Sequence, residues 1–201
     1  VVSAERLIDD LWGDSPPSTA RAALQVYVAG LRKALNDGGT SLRTRAPGYV
    51  LELAAGSLDL ERFTLLRAEA RGASLPEDRA ALLHEALRLW RDEPLPELRT
   101  EPFASAAVGE LEQLRLGALE ERVDADLDLG RDSELVTELE SLVAEHPYRE
   151  RLRAQLMLAL YRSGRQAEAL DVYRDARRSL VEELGIDPSP ALPELEQAIL
   201  R

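Results

Sequence analysis

The stretch Leu129-Gly130-Arg131 recurs as Ser163-Gly164-Arg165, with the two glycines 34 residues apart, and before it Ala125 corresponds to Ala159 and Leu127 to Tyr161. A helix running into glycine reads as a C-terminal stop, because glycine enters the left-handed conformation without a Cβ penalty. The match extends past the turn, where Leu139 corresponds to Tyr173. A helix–turn–helix unit recurring at this period is the signature of a tetratricopeptide-type array, whose units stack because each leaves an apolar face open. Ala169, Leu170, Tyr173 and Ala176 fit the second helix of a unit, where small residues admit the adjacent helix. The alternative is a chance likeness between two amphipathic helices.

Helices are expected on both sides of this repeat. Asp59 caps a run through Leu60, Phe63, Leu66 and Ala70 to Gly72, and Pro76 opens another with Leu82, Leu83, Leu87 and Trp90 inward. A loop over 91–100 with Pro94 and Pro96 precedes a long helix from about Pro102 to Leu129, and Pro188, Pro190 and Pro193 bound the last helix. The composition agrees, since Ala, Leu, Glu and Arg lose little rotamer freedom in helices.

The first segment has a different pattern. Ser3 is placed to cap a helix carrying Leu7, Ile8, Leu11 and Trp12 on one stripe, ended by Gly13. After the turn Asp14-Ser15-Pro16-Pro17, Ser18 or Thr19 caps a second helix to about Leu35, broken by Asn36-Asp37-Gly38-Gly39. Leu24, Val28, Leu31 and Leu35 share its inward direction; Ser18, Ala22, Gln25, Val26, Ala29, Arg32 and Lys33 face away. The period then changes to two, and residues 42–53 read as a short hairpin through Ala46-Pro47-Gly48, with Arg43 and Arg45 on one face.

Of 201 residues, 45% are apolar, 31% charged and only 4% aromatic, a globular balance. Without cysteine, disulfides, thiolate metal sites and cysteine nucleophiles are excluded. No apolar run approaches the ~20 residues that span a bilayer, and no signal peptide opens the chain, so the cytoplasm is expected. The net charge of −12 argues against nucleic acid only as an average. Residues 1–56 balance six basic side chains (Arg6, Arg21, Arg32, Lys33, Arg43, Arg45) against six acidic ones (Glu5, Asp9, Asp10, Asp14, Asp37, Glu52), and between Ser18 and Tyr49 the only acid is Asp37.

A helix, turn, helix and basic hairpin form the later part of a winged helix-turn-helix. Small or neutral residues on the outer face of the second helix allow close approach to a major groove. Gln25 can bond adenine, Val26 and Ala29 can meet a thymine methyl, Arg32 and Lys33 can meet phosphate. The candidate DNA-binding set is Thr19, Gln25, Val26, Ala29, Arg32, Lys33, Arg43, Thr44 and Arg45. Read without this function, the segment is an ordinary amphipathic helix and hairpin with scattered arginines.

Two resemblances bear on the choice. Gln25-Val26-Tyr27-Val28, Leu31-Arg32-Lys33-Ala34-Leu35 and the hairpin 42–49 resemble the OmpR-type winged helix of Streptomyces antibiotic regulatory proteins. The chain lacks that domain's N-terminal sheet and first helix, so it is expected to begin inside a domain. Residues 59–201 are similar to the bacterial transcriptional activator domain that follows the winged helix in the same regulators. The residues carrying this are Leu87-Arg88-Leu89-Trp90-Arg91, His146-Pro147, the run 158–170 and Glu183-Leu184-Gly185-Ile186-Asp187-Pro188, while Asp92-Glu93 departs from the usual Gly-Pro turn.

The expected fold is mainly α: a partial winged helix-turn-helix with a β-hairpin wing over 1–56, then a tetratricopeptide-like helical repeat domain over 57–201. The resemblance implies a transcriptional activator that contacts promoter direct repeats in double-stranded DNA, self-associates on tandem sites and recruits RNA polymerase. It also implies a link to secondary metabolism. The rival reading is a protein-interaction or sensory scaffold within a larger signalling regulator.

Nothing points to catalysis, a cofactor or a metal. The two histidines, His84 and His146, read as helix-surface and helix-terminal residues, and no phosphate-binding glycine loop follows a strand. The pairs Glu120-Glu121 and Glu182-Glu183 read as solvated charge without ion-pair partners.

Overall fold

The computed structural model describes residues 1–35 and 40–201. The expected helix break at Asn36-Asp37-Gly38-Gly39 lies outside the described residues. The elements in order are β1 (Val2–Ser3), α1 (Ala4–Trp12), α2 (Ala20–Ala34), β2 (Ser41–Arg45), β3 (Gly48–Glu52), α3 (Asp59–Gly72), α4 (Pro76–Leu87), α5 (Pro102–Asp128), α6 (Asp132–Glu145), α7 (Glu150–Arg162), α8 (Gln166–Leu184) and α9 (Ala191–Leu200). A single 3₁₀ turn, Pro96–Leu98, lies in the loop before α5. The protein is mainly helical, with one small sheet near its start.

The chain divides into two compact units, 1–65 with 91–112 and 66–90 with 113–201. In the first, the sheet order is β1-β3-β2 with both pairings antiparallel. Ser3 caps α1 as expected, its Oγ accepting from Arg6 N at 3.0 Å. The pair Val2–Ser3, expected as a helix entry, is instead a short strand against Tyr49 and Gly48. The close approach requires glycine: a Cβ on Gly48 would lie 1.9 Å from the Val2 carbonyl oxygen.

Helix α2 buries Ala20, Leu24 and Val28, but Leu31, expected inward, is 52% exposed. The lengths give the reason. Nine-residue α1 extends about 13 Å and fifteen-residue α2 about 22 Å, so α2 outruns its neighbour. The apolar stripe on α1 also covers less than expected, since none of its residues is fully buried and Leu11 is half-exposed. Its Trp12 instead stacks on Tyr27 of α2, ring centroids 6.2 Å apart.

The second unit holds the repeats. Its core joins Leu116, Val123 and Leu127 of α5 to Leu139 of α6, Leu152, Leu156 and Leu160 of α7, and Tyr173 of α8. Both repeat turns are left-handed, Gly130 at φ 74° and Gly164 at φ 79°. They are closed by the same bond, Arg131 N to Asp126 O at 3.1 Å and Arg165 N to Leu160 O at 2.8 Å. Ala125 and Ala159 are both fully buried, as are Ala169 and Ala176, which lets the helix backbones come close. The correspondence fails at one pair: Leu127 is 3% exposed and Tyr161 41%.

Candidate nucleic-acid interface

The candidate residues lie on two elements of the first unit, α2 with its N-cap and β2. Thr19 is the N-cap of α2 but makes no side-chain cap bond, leaving its hydroxyl exposed. Gln25, Val26, Ala29, Arg32 and Lys33 are all exposed along the helix, Val26 at 68%. Arg43, Thr44 and Arg45 are exposed on β2. Leu24 and Val28 anchor the opposite face of α2, so burial of that face fixes which residues the helix presents.

The helix and hairpin meet through Arg32. Its Nε donates to the Leu42 carbonyl at 2.8 Å and its Nη2 to Thr44 Oγ1 at 2.7 Å. A rigid guanidinium fork suits this bridging, because two bonds in one plane set direction as well as distance. One expected phosphate contact therefore also ties β2 to α2.

The hairpin arginines differ. Arg43 is next to Val50 in the register and reaches Glu52, Nε to Oε2 at 2.9 Å. Arg45, opposite Gly48, has no ion pair among the described residues. On α1, Arg6 pairs with Asp10 at 2.9 Å and Glu5 meets Arg21 at 3.4 Å, which spreads the charge of this unit. These pairs are exposed and screened, so they leave the arginines available to a polyanion.

The helical-repeat unit departs from the sequence reading in its charge. Glu121, expected to be solvated, accepts from Arg67 at 2.7 and 3.0 Å and from Arg71 at 2.7 and 3.1 Å. Burial pushes its carboxyl up, but the bonds and charges of Arg67 and Arg71 outweigh this and hold it below the ordinary value of 4.5. Glu120 is 5% exposed and faces Arg149 at 3.3 Å. Glu183 accepts from the Tyr148 hydroxyl at 2.7 Å, which raises the phenol's pKa. Asp126, 2% exposed, joins Arg122 at 3.1 Å, Arg131 at 2.7 Å and His84 Nε2 at 3.3 Å. In the first unit, the loop at Asp92-Glu93, where the sequence departs from the usual Gly-Pro turn, is held by side chains, Glu93 N to Asp92 Oδ1 at 2.8 Å and Arg99 Nη1 to Glu93 Oε2 at 2.7 Å.

Among the described residues, no group of three or more His, Asp and Glu is arranged to hold a metal. Among the described residues, no helix is long and apolar enough to cross a membrane.

A small sheet and an exposed, partly basic helix are followed along the chain by stacked helical repeats. Residues 58–200 match the bacterial transcriptional activator domain family. The chain belongs to that family, in the branch of Streptomyces antibiotic regulatory protein-type activators. It is 49% identical over 203 residues to the regulatory protein AfsR of Streptomyces coelicolor, covering 99% of this chain and 20% of AfsR. It is 38% identical over 213 residues to the regulatory protein DnrI of Streptomyces peucetius, covering all of this chain and 78% of DnrI. The solved structure of Mycobacterium tuberculosis EmbR in complex with a low-affinity phosphopeptide superposes over the whole chain. Its TM-score is 0.93 at 38% identity, and 55% of the EmbR chain is covered. The chain thus spans about a fifth of AfsR and about half of EmbR.

Proposed function

We propose that this chain is the promoter-reading and contact-making part of a cytoplasmic transcriptional activator. The observation that carries the reading is the Arg32 fork, because it holds an exposed helix and an exposed hairpin in one fixed arrangement. Helix α2 enters the major groove of double-stranded DNA with Gln25, Val26 and Ala29 against base edges. Thr19, Lys33 and the free edge of Arg32 meet phosphates, and the wing brings Arg43, Thr44 and Arg45 to backbone or minor groove.

The division of labour follows the expected domain split at about residue 56. The first part reads direct repeats in the promoter, and the helical repeats recruit RNA polymerase. Two copies on tandem sites associate head to tail. An acidic repeat domain suits this role, since it is repelled by DNA and free to engage protein.

The test is fluorescence-anisotropy binding of the chain to promoter duplexes across a salt series. Sequence-dependent binding whose salt slope falls by about one for each of Lys33→Ala and Arg45→Ala supports the reading. Absence of DNA affinity at low salt overturns it and leaves the scaffold reading.

A further inference from the structure

Helix α9 is attached to the second unit less firmly than the helices before it. It packs on α7 and α8, and its apolar side chains Leu192, Leu195 and Ile199 recur at i, i+3 and i+7, a single stripe. Leu192 and Ile199 join the core cluster that holds Leu152 and Leu156 of α7 and Tyr173 and Ala176 of α8, with Leu195 packed against it. These two are the buried residues among its ten, whereas α7 buries seven of thirteen. Helix α9 therefore has less burial per residue to offset the entropy of ordering it.

The rest of the attachment is polar and lies at three points. Before the helix, Glu150 Oε2 of α7 accepts from Ser189 N at 2.7 Å and from Ser189 Oγ at 2.8 Å. Midway, Glu196 lies beside the Tyr173 phenol, and burial together with that carboxylate raises the phenol's pKa. At the far end, Gln166 Nε2 of α8 donates to the Ile199 carbonyl at 2.6 Å. The connection over residues 186–190 is exposed except at Pro188, and Gly185, at φ 68°, ends α8 before it.

A ten-residue helix is shorter than the ~12–15 residues that an isolated helix needs in water. Once off its neighbours α9 loses its helix as well, so undocking and unfolding are one event. The helices before it have a core of their own, in which Val123 of α5, Leu139 of α6 and Met157 of α7 are fully buried. We propose that α9 is a cap that opens as one unit, baring the apolar face of α7 and α8 while α5 to α8 stay folded. In the closed state the cap covers that face. The Ser189–Glu150 and Gln166–Ile199 clasps, at its two ends, set how often it opens.

The test is native-state hydrogen exchange of the 201-residue chain, read residue by residue. In the unsubstituted chain, the amides of residues 194–199 share one opening constant, at least about tenfold larger than that of the α7 amides. Ser189→Ala and Gln166→Ala loosen clasps at opposite ends, and each raises that constant about fivefold along the whole helix. Exchange in α6 and α7 is unchanged in both variants. The proposal is overturned if opening grades smoothly towards Arg201, which is fraying from the end rather than a unit. It also fails if α9 and α7 share one constant, or if either substitution speeds only the amides at its own end.

Discussion

Arg32 of α2 and Thr44 of β2, twelve positions apart in the chain, are joined through Nη2 and Oγ1 at 2.7 Å. The same guanidinium holds the Leu42 carbonyl, so a single side chain sets where the wing strand runs against the helix. Arg32→Lys separates this positioning role from a simple charge. Lysine keeps the charge but cannot form the fork. DNA affinity is expected to fall about tenfold in Arg32→Lys, nearly as far as in Arg32→Ala, measured by anisotropy. Stability should change by less than about 1.5 kcal/mol in either, since the bonds are exposed. Retention of full affinity in Arg32→Lys would mean that Arg32 acts only as a point charge.

Glu52 competes with DNA for Arg43. Their exposed pair at 2.9 Å must open or share its cation when a phosphate arrives. In Glu52→Gln the competing charge is gone and Arg43 is free. Affinity for duplex DNA is expected to rise about twofold at low salt, in keeping with the ~0.5 kcal/mol of an exposed pair. The gain should shrink as salt is raised. Equal affinity of the variant and the parent at low salt would remove Arg43 from the interface.

Gly48 is the position where the sheet admits no side chain. An added Cβ would meet the Val2 carbonyl oxygen at 1.9 Å, backbone that cannot swing away. Gly48→Ala therefore pushes β1 off β3, at a cost of about 1–3 kcal/mol as for other overpacked sites. Hydrogen exchange should accelerate at Ser3 and Tyr49 while α6–α8 stay protected. Unchanged exchange at Ser3 would show that the pairing with β1 contributes nothing in solution.

The contrast between what was legible and what was not follows contact range. The turns at Gly130 and Gly164 are local, set by a left-handed glycine and a bond spanning five residues, so their repetition is visible in the chain itself. Faces set by one helix's own periodicity were also legible where a neighbour reaches them, as at Leu24 and Val28, and not where it stops short, as at Leu31. The strand Val2–Ser3 has no period to read, being two residues long and defined only by its distant partners. The exposed faces carrying Gln25, Val26 and Ala29 were readable from spacing, but the Arg32 bridge depends on how the hairpin folds back. Glu121 was misread for the same reason: the residues three and four positions away along α5 carry no cation, and its partners lie about fifty residues earlier on α3.

That long-range pair carries a pH signature. Arg67 and Glu121 expose only 15% and 18% of their side chains, and the carboxyl lies below its ordinary 4.5 in the folded chain. A depressed folded pKa means stability that is present above the unfolded value and lost as pH falls through the folded one. Glu121→Gln removes the charge and strands Arg67 and Arg71, costing about 2 kcal/mol at neutral pH after allowance for solvent access. The gap between parent and variant should hold down to about pH 4.5, then narrow as acid protonates Glu121 in the parent. Urea unfolding at a series of pH values measures both curves. A gap that stayed constant below pH 4.5 would show that the ionised carboxylate does not hold α3 to α5, and that packing alone does.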